Sequence, residues 1–162
     1  MSEAVASFAA RAGEKLRRHG LAAGHLTVFM HTSHFGTDPR YSSAASVRLD
    51  VATADSRELI GAAKRAARHV WRDGYRYSKA GVILEDLGPE GRGQASFLFE
   101  DRGPKAIKLM ATMDAINAKM GRGTVFPAAA GVRQTWRLRA DHHSLRYTTR
   151  WEDLPRVHAG PN

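Results

Sequence analysis

The 162-residue sequence contains no cysteine, which excludes disulfide bonds, thiolate zinc ligands and a cysteine nucleophile. It also lacks any run of about 20 apolar residues of the kind that crosses a bilayer, so a membrane-spanning protein is not expected. The first three residues show neither the basic start nor the apolar stretch of a secretory signal. These absences favour a cytoplasmic protein with no membrane partner.

Catalytic motifs are equally scarce. Acidic pairs occur only as sequence neighbours, at Glu85-Asp86, Glu100-Asp101 and Glu152-Asp153. Neighbours on a strand point to opposite faces, so such pairs are poorly placed to share one metal ion or substrate. The glycines on either side of Arg122 come directly after a predicted helix. They resemble a phosphate-binding loop only loosely, because the C-terminus of a helix repels anions. We expect no catalytic residue, no metal site, no cofactor and no enzyme activity for this chain alone.

Positive charge is what the sequence has in excess. It contains 25 Lys and Arg against 16 Asp and Glu, a formal net charge of +9. An excess of this size favours a polyanionic partner, most often nucleic acid. A basic surface with no nucleic-acid partner remains the alternative.

Hydrophobic periodicity predicts an α+β fold with two helices on one face of a ferredoxin-like sheet. Apolar residues alternate in the strand patterns, as in Leu26, Val28 and Met30, which indicates one covered and one open sheet face. The order helix, strand, strand, helix, strand matches a βαββαβ unit without its first strand. The predicted elements are a helix over 3–19, strands over 26–30 and 45–51, a helix over 56–72 and a strand over 75–87.

The glycine- and proline-rich stretch at 88–104 divides the chain into a domain over 1–87, a linker, and a C-terminal extension over 105–162. The extension is predicted to contain a helix over 105–120 and strand-like runs at 124–126 and 132–138. Its helix carries Leu109, Met113, Ile116 and Met120 on one stripe.

The segment from Gln94 to Phe99 is the sharpest short motif. A Gln followed by Phe97, Leu98 and Phe99 within a glycine-rich stretch resembles the bacterial sliding-clamp peptide, a Gln followed by a Leu/Phe pair. Ala95 stands where that peptide commonly has Leu, and one residue is added before the final Phe. Packing of the two phenylalanines on the core is the other interpretation.

Longer runs extend the resemblance to nearly the whole chain. The sequence resembles the C-terminal part of the UmuC branch of Y-family translesion DNA polymerases, in the family's own order. The matching runs are SFAARAGEKL (7–16), FMHTS (29–33), ASVRL (45–49), YRYSKAGV (75–82), LMATMDAINAKMGRGT (109–124) and RYTTR (146–150).

That resemblance implies a role in DNA repair during the SOS response. Residues 1–87 are similar to the little-finger domain, which grips duplex template–primer DNA, and residues 94–99 occupy the place of the clamp-binding peptide. The palm, thumb and fingers are missing, so this chain alone is not expected to polymerise DNA. Partners implied by the family are DNA, the sliding clamp, UmuD-type subunits and a recombinase filament.

Specific residues follow from combining the resemblance with the predicted open face. Polar and basic side chains on an exposed sheet suit phosphate contacts. The DNA-contact candidates are Arg48, Arg76 and Lys79, followed by Thr32 and Ser33, and the clamp candidates are Gln94, Phe97, Leu98 and Phe99. One alternative is a protein-interaction module with little DNA contact. Another is the product of a decayed gene remnant, unstable because the first strand of the sheet is missing.

Overall fold

Two amphipathic helices cover one face of an antiparallel sheet in the computed structural model, which describes residues 2–35, 37–90, 104–132 and 144–155. The α+β prediction is confirmed. The elements are α1 (Ser2–Arg18), β1 (Leu21–Thr32), β2 (Ser42–Thr53), α2 (Ser56–Val70), β3 (Tyr77–Pro89), α3 (Pro104–Met120) and two 3₁₀ turns, Ala128–Ala130 and Trp151–Asp153.

The three strands form a continuous sheet in the order β2-β1-β3, with both pairings antiparallel. Leu26 in the central strand lies opposite Val47 on one side and Leu84 on the other. These side chains share the face that the helices cover, and Leu26 is fully buried. The predicted one-sided alternation is therefore confirmed, because the alternating apolar residues of these strands lie on the covered face.

Small residues allow the two helices to approach each other and the sheet. Ala62, Ala63 and Ala66 are fully buried along α2. In α1, Gly13 is buried, and a Cβ at that position would meet the side chain of Leu59 at 2.9 Å. Close packing of this kind leaves no space for an added methyl group.

The helix α3 packs on the same layer through a narrow contact. Met110 is 2% exposed, whereas Leu109 and Met120 are 43% and 69% exposed. The predicted helix is thus confirmed, but its most buried residue lies beside the predicted apolar stripe. Within the described residues, no helix is long and apolar enough to cross a membrane.

The strand predicted at 124–126 is wrong. The side chain of Asn117 donates to the carbonyl of Val125 over 2.8 Å and accepts from its backbone N–H over 2.9 Å. A helix side chain therefore satisfies the backbone groups that a strand partner would have used. Most of the run predicted at 132–138 lies outside the described residues.

Candidate nucleic-acid interface

The sheet face opposite α1 and α2 presents four cross-strand rows of side chains. Alternation along each strand places every second residue on this face, and the pairing registers fix which residues stand side by side. From one end to the other, the rows are Ser42–His31–Lys79, Ala44–Phe29–Gly81, Ser46–Thr27–Ile83 and Arg48–His25–Glu85. We call this surface the open face.

Charge is distributed unevenly along the open face. Lys79 is exposed at one end, and the exposed Arg76 precedes the same strand there. Arg48 lies at the other end, where the sheet also carries Glu85 and Asp50. The first end is therefore basic, whereas the second end mixes one guanidinium with carboxylates.

Lys79 and Arg48 share the open face but stand far apart. Lys79 is in the first row and Arg48 in the fourth, a separation along the strands of about 20 Å at the usual rise of ~3.3 Å per residue. They also occupy the two outer strands, about 10 Å apart. This span is wide enough to reach phosphates on both sides of a DNA major groove about 12 Å across.

The hydroxyl groups at the centre of the open face already have partners. Thr27 Oγ1 donates to Glu85 Oε2 over 2.7 Å, and Thr27 Oγ1 and Ser46 Oγ are also 2.7 Å apart. Because the single hydroxyl hydrogen of Thr27 goes to Glu85, Ser46 is the donor in the second bond. The exposed cations at the two ends are therefore better placed to contact an anion than these central hydroxyl groups.

Phe29 lies on the open face, and the sequence analysis assigned it no role. Its ring covers Gly81 on β3, where an added Cβ would overlap the ring atoms. Ala44 is its neighbour on β2, so small residues flank the ring on both sides. The sequence alone could not show this arrangement because it depends on the pairing register.

Thr32 and Ser33 lie where β1 ends, and both hydroxyl oxygens accept hydrogen bonds from backbone N–H groups. Thr32 is 3% exposed, and its hydroxyl oxygen accepts from the backbone N–H of Tyr41 over 2.9 Å. Ser33 is half-buried, and its hydroxyl oxygen accepts from the N–H of Phe35 over 3.1 Å. Burial denies Thr32 a side-chain contact with phosphate, whereas the DNA contact predicted for Ser33 stays a prediction.

Four aromatic rings meet beyond the basic end of the open face, and we call them the aromatic cluster: Tyr41, Trp71, Tyr75 and Tyr77. The ring centroids of Tyr41 and Tyr75 are 4.8 Å apart, as are those of Trp71 and Tyr77. Tyr77 also meets Tyr41 edge-on at 6.1 Å. The sequence analysis missed the cluster because Tyr41 is distant in sequence from the other three rings.

The predicted clamp-binding residues Gln94, Phe97, Leu98 and Phe99 lie outside the described residues, so their role stays a prediction. Across the described ranges, no group of three or more His, Asp or Glu side chains is placed to hold a metal ion.

The fold is a helix-backed α+β domain followed by a helical extension, and the comparisons with known proteins divide the chain similarly. Residues 1–97 match the impB/mucB/samB family C-terminal domain, and residues 107–157 match a domain of unknown function, DUF4113. Because the first match covers more than half of the sequence, the chain belongs to the impB/mucB/samB family.

Individual relatives agree with this assignment. Protein UmuC of Salmonella typhimurium strain LT2 is 44% identical over 97% of the chain, and Protein ImpB of Salmonella typhimurium is 43% identical over 99%. Protein MucB of Escherichia coli is 39% identical over 96%. The chain spans only 37–38% of the length of these relatives and matches their C-terminal parts. The resemblance stated from the sequence is confirmed.

Proposed function

We propose that this chain is the DNA-binding accessory portion of a UmuC-like translesion DNA polymerase. Its open face would grip duplex template–primer DNA through phosphate contacts from Lys79, Arg76 and Arg48. The observation that carries the proposal is the placement of exposed cations on one sheet face while both helices pack on the other. Family membership supports the same assignment.

Phosphate contact without base readout fits the chemistry of this face. Lys and Arg contacts position a protein on a duplex, whereas sequence readout needs side chains aimed at base edges. The central hydroxyl groups are bonded to each other and to Glu85. A translesion polymerase has to hold duplexes of any sequence, and a face that contacts only the backbone meets that requirement.

Catalysis is assigned to other parts of the polymerase. The acidic pairs of this chain are sequence neighbours and are poorly spaced to hold two catalytic metal ions. The relatives are more than twice as long as the matched region. The proposal therefore gives this chain a gripping role and gives it no part in the bond-forming step.

Binding of a labelled primer–template duplex, measured by fluorescence anisotropy across a salt series, tests the proposal. Three phosphate contacts predict a slope of about −2.7 in log affinity against log salt, and each lost contact removes about 0.9. The triple variant Arg48→Ala, Arg76→Ala, Lys79→Ala should lose most of this slope on every duplex sequence.

The matched control removes charge from the opposite side of the molecule. Arg11 and Arg65 are exposed on α1 and α2, in the layer that backs the sheet. Their double replacement by Ala should reduce the slope far less than Arg76→Ala with Lys79→Ala. Equal losses would mean that only net charge matters, and no binding by the folded native chain at low salt would overturn the DNA role.

We also propose that Gln94, Phe97, Leu98 and Phe99 bind the sliding clamp. The support is the sequence motif alone: a Gln followed by apolar anchors in a glycine-rich stretch. Replacing Leu98 and Phe99 by Ala should abolish clamp binding in surface plasmon resonance and leave duplex affinity unchanged. Unchanged clamp binding would assign Leu98 and Phe99 to another role.

A protein-interaction module remains the second candidate because α3 exposes apolar side chains. Ile107 is 63% exposed and Met120 is 69% exposed. The sliding clamp, UmuD-type subunits or a recombinase filament would then be the partners. In that case the triple cation variant would keep its partner binding, and the native chain would show little duplex binding to lose.

A further inference from the structure

We propose that the aromatic cluster binds unpaired bases of a DNA strand that continues from a duplex held on the open face. The inference deepens the proposed function, on which it rests for the presence of DNA. It adds a second contact of different chemistry: stacking on aromatic rings in place of ion pairing with phosphate.

The inner rings of the cluster are fixed by hydrogen bonds. Tyr41 Oη donates to the carbonyl of Val70 over 2.9 Å. Tyr77 Oη accepts from the backbone N–H of Arg72 over 2.8 Å and donates to its carbonyl over 3.1 Å. Both phenol groups are therefore used in holding the end of α2 against the strands, and both rings form a rigid base.

Three further flat groups lie against those two rings, and two of them, Trp71 and Arg72, are exposed. Trp71 stacks on Tyr77, is 41% exposed, and has its indole oriented by a 2.9 Å hydrogen bond to Asp73. Tyr75 stacks on Tyr41, and the exposed guanidinium of Arg72 lies 5.1 Å from the centroid of the Tyr41 ring. Indole, phenol and guanidinium planes are the groups on which proteins stack unpaired bases.

The charges around the cluster suit a nucleic-acid strand. Residues 38–41 and 68–79 contain five Lys or Arg against two Asp. Asp73 accepts from the Trp71 indole and Asp38 lies 3.7 Å from Arg76, so the cations still exceed the carboxylates by three. The hydroxyl of Tyr41 also donates to the Val70 carbonyl, one of the carbonyl groups that make the C-terminal end of α2 negative. Charge complementarity thus favours a phosphate-bearing occupant.

The position of the cluster gives the path of the strand. Tyr77 pairs with Thr32, and the next open-face residue on β3 is Lys79, in the outermost row. The pairing register shifts between His31 and Thr32, so Tyr77 belongs to the helix-covered side while Lys79 stays on the open face. A strand that leaves the basic end of the open face and rounds the end of the sheet would therefore pass from cations to aromatic rings.

The test compares three fluorescein-labelled DNAs: a blunt duplex, the same duplex with a single-stranded overhang, and a short oligothymidylate. Trp71→Ala should weaken oligothymidylate binding about tenfold and abolish the affinity gained from the overhang, since stacking contributes about 5- to 150-fold per base. Blunt-duplex affinity should stay within about twofold. Trp71→Phe keeps a ring and should retain most of the affinity.

Trp151→Ala is the matched control because Trp151 is 87% exposed and belongs to the C-terminal extension. It should leave all three affinities unchanged. The tryptophan fluorescence of the native chain gives a second measurement, which does not depend on whether the Ala variant folds. Oligothymidylate should quench it, and the quenching should be smaller in Trp71→Phe and unchanged in Trp151→Phe.

Two results overturn the inference: oligothymidylate affinity that is the same in Trp71→Ala and the native chain, or equal losses for blunt duplex and single strand in a folded variant. Failure of the proposed function looks different. Blunt duplex would then not bind the native chain at all, whatever residue stands at position 71.

Discussion

Arg17 and Asp114 form a two-point ion pair that fastens α3 to α1. Arg17 Nε and Nη2 each donate to one oxygen of the Asp114 carboxylate over 2.7 Å. The remaining nitrogen, Nη1, donates to the Ala54 carbonyl over 2.6 Å and to Ser56 Oγ over 3.0 Å. One guanidinium therefore joins α1, α3 and the start of α2, and it links the regions that match two separate family models.

Removing the carboxylate should loosen α3. We expect Asp114→Ala to lower the free energy of unfolding by about 2 kcal/mol, because charge-assisted hydrogen bonds of a half-buried pair are lost. Urea denaturation measures the loss, and hydrogen exchange should locate it in α3. Arg18→Ala is the control: its pair with Glu14 is exposed and should be worth at most about 0.5 kcal/mol. Equal effects of the two variants would contradict the fastening role.

Gly81 should not tolerate a side chain while Phe29 is present. A Cβ at position 81 would overlap the Phe29 ring, so Gly81→Ala should destabilise the fold by about 1–3 kcal/mol. Gly88 lies on the same strand with no atom within 4 Å of an added Cβ, so Gly88→Ala is the control and should change little. Combining Gly81→Ala with Phe29→Ala should recover part of the loss, which thermal denaturation of the four variants would show. Additive losses would mean that the two residues do not clash.

The first turn of α2 should depend on the side chain of Asp55. Asp55 Oδ1 accepts from the backbone N–H of Arg57 over 2.8 Å, and the carboxylate also pairs with the Arg57 guanidinium. Asp55→Ala removes the cap and should cost about 1 kcal/mol in urea denaturation, whereas Asn keeps the accepting oxygen and should cost less. An Asn variant as unstable as the Ala variant would assign the effect to charge.

The pH dependence of that loss follows from Arg57. The hydrogen bonds that Arg57 donates to the Asp55 carboxylate, together with the negative charge of that carboxylate, raise the pKa of Arg57 above its ordinary value. A basic group whose pKa is raised by folding stabilises the fold, and this stabilisation is complete at any pH below the pKa of the unfolded state. It is lost only as the pH rises through the pKa of the folded state. Between about pH 6 and 9, titration of Arg57 should therefore leave the stability difference between Asp55→Ala and the native chain constant. A difference that changes across this window would point to another titrating group.

Glu85 should weaken DNA binding at its end of the open face. Its carboxylate lies on the same face as Arg48 and repels phosphate, so Glu85→Gln should raise duplex affinity about twofold at low salt. The Gln side chain keeps an oxygen for the Thr27 hydroxyl, so the fold should be unaffected. Glu14→Gln on α1 makes the same change of charge away from the face. If it raised affinity equally, the position of Glu85 would not matter.

The sequence predicted the covered face more fully than the interface. Alternation at Leu26, Val28 and Met30 reported burial directly, because one strand is enough to show the pattern. Phe29 over Gly81 and the contacts of Tyr41 with the end of α2 depend on which strands pair and in what register. Such contacts join residues distant in sequence, and periodicity carries no information about them. The burial of Thr32 could have been predicted from the sequence, because Thr32 comes two residues after Met30 and continues the buried alternation of this strand.

The place of β1 in the sheet has a consequence for the order of folding. Its pairing with β2 joins neighbours in sequence, such as His31 and Ser42, whereas its pairing with β3 joins residues as distant as Leu21 and Pro89. Closing a short loop costs less entropy, so the β1–β2 hairpin should form before β3 is added. Pulse-labelling hydrogen exchange would check this order by showing earlier protection in β2 than in β3. Before β3 is added, one edge of the central strand can pair with another chain. Because β3 is the last strand to be added, its addition ends the period in which the folding chain is most prone to aggregate.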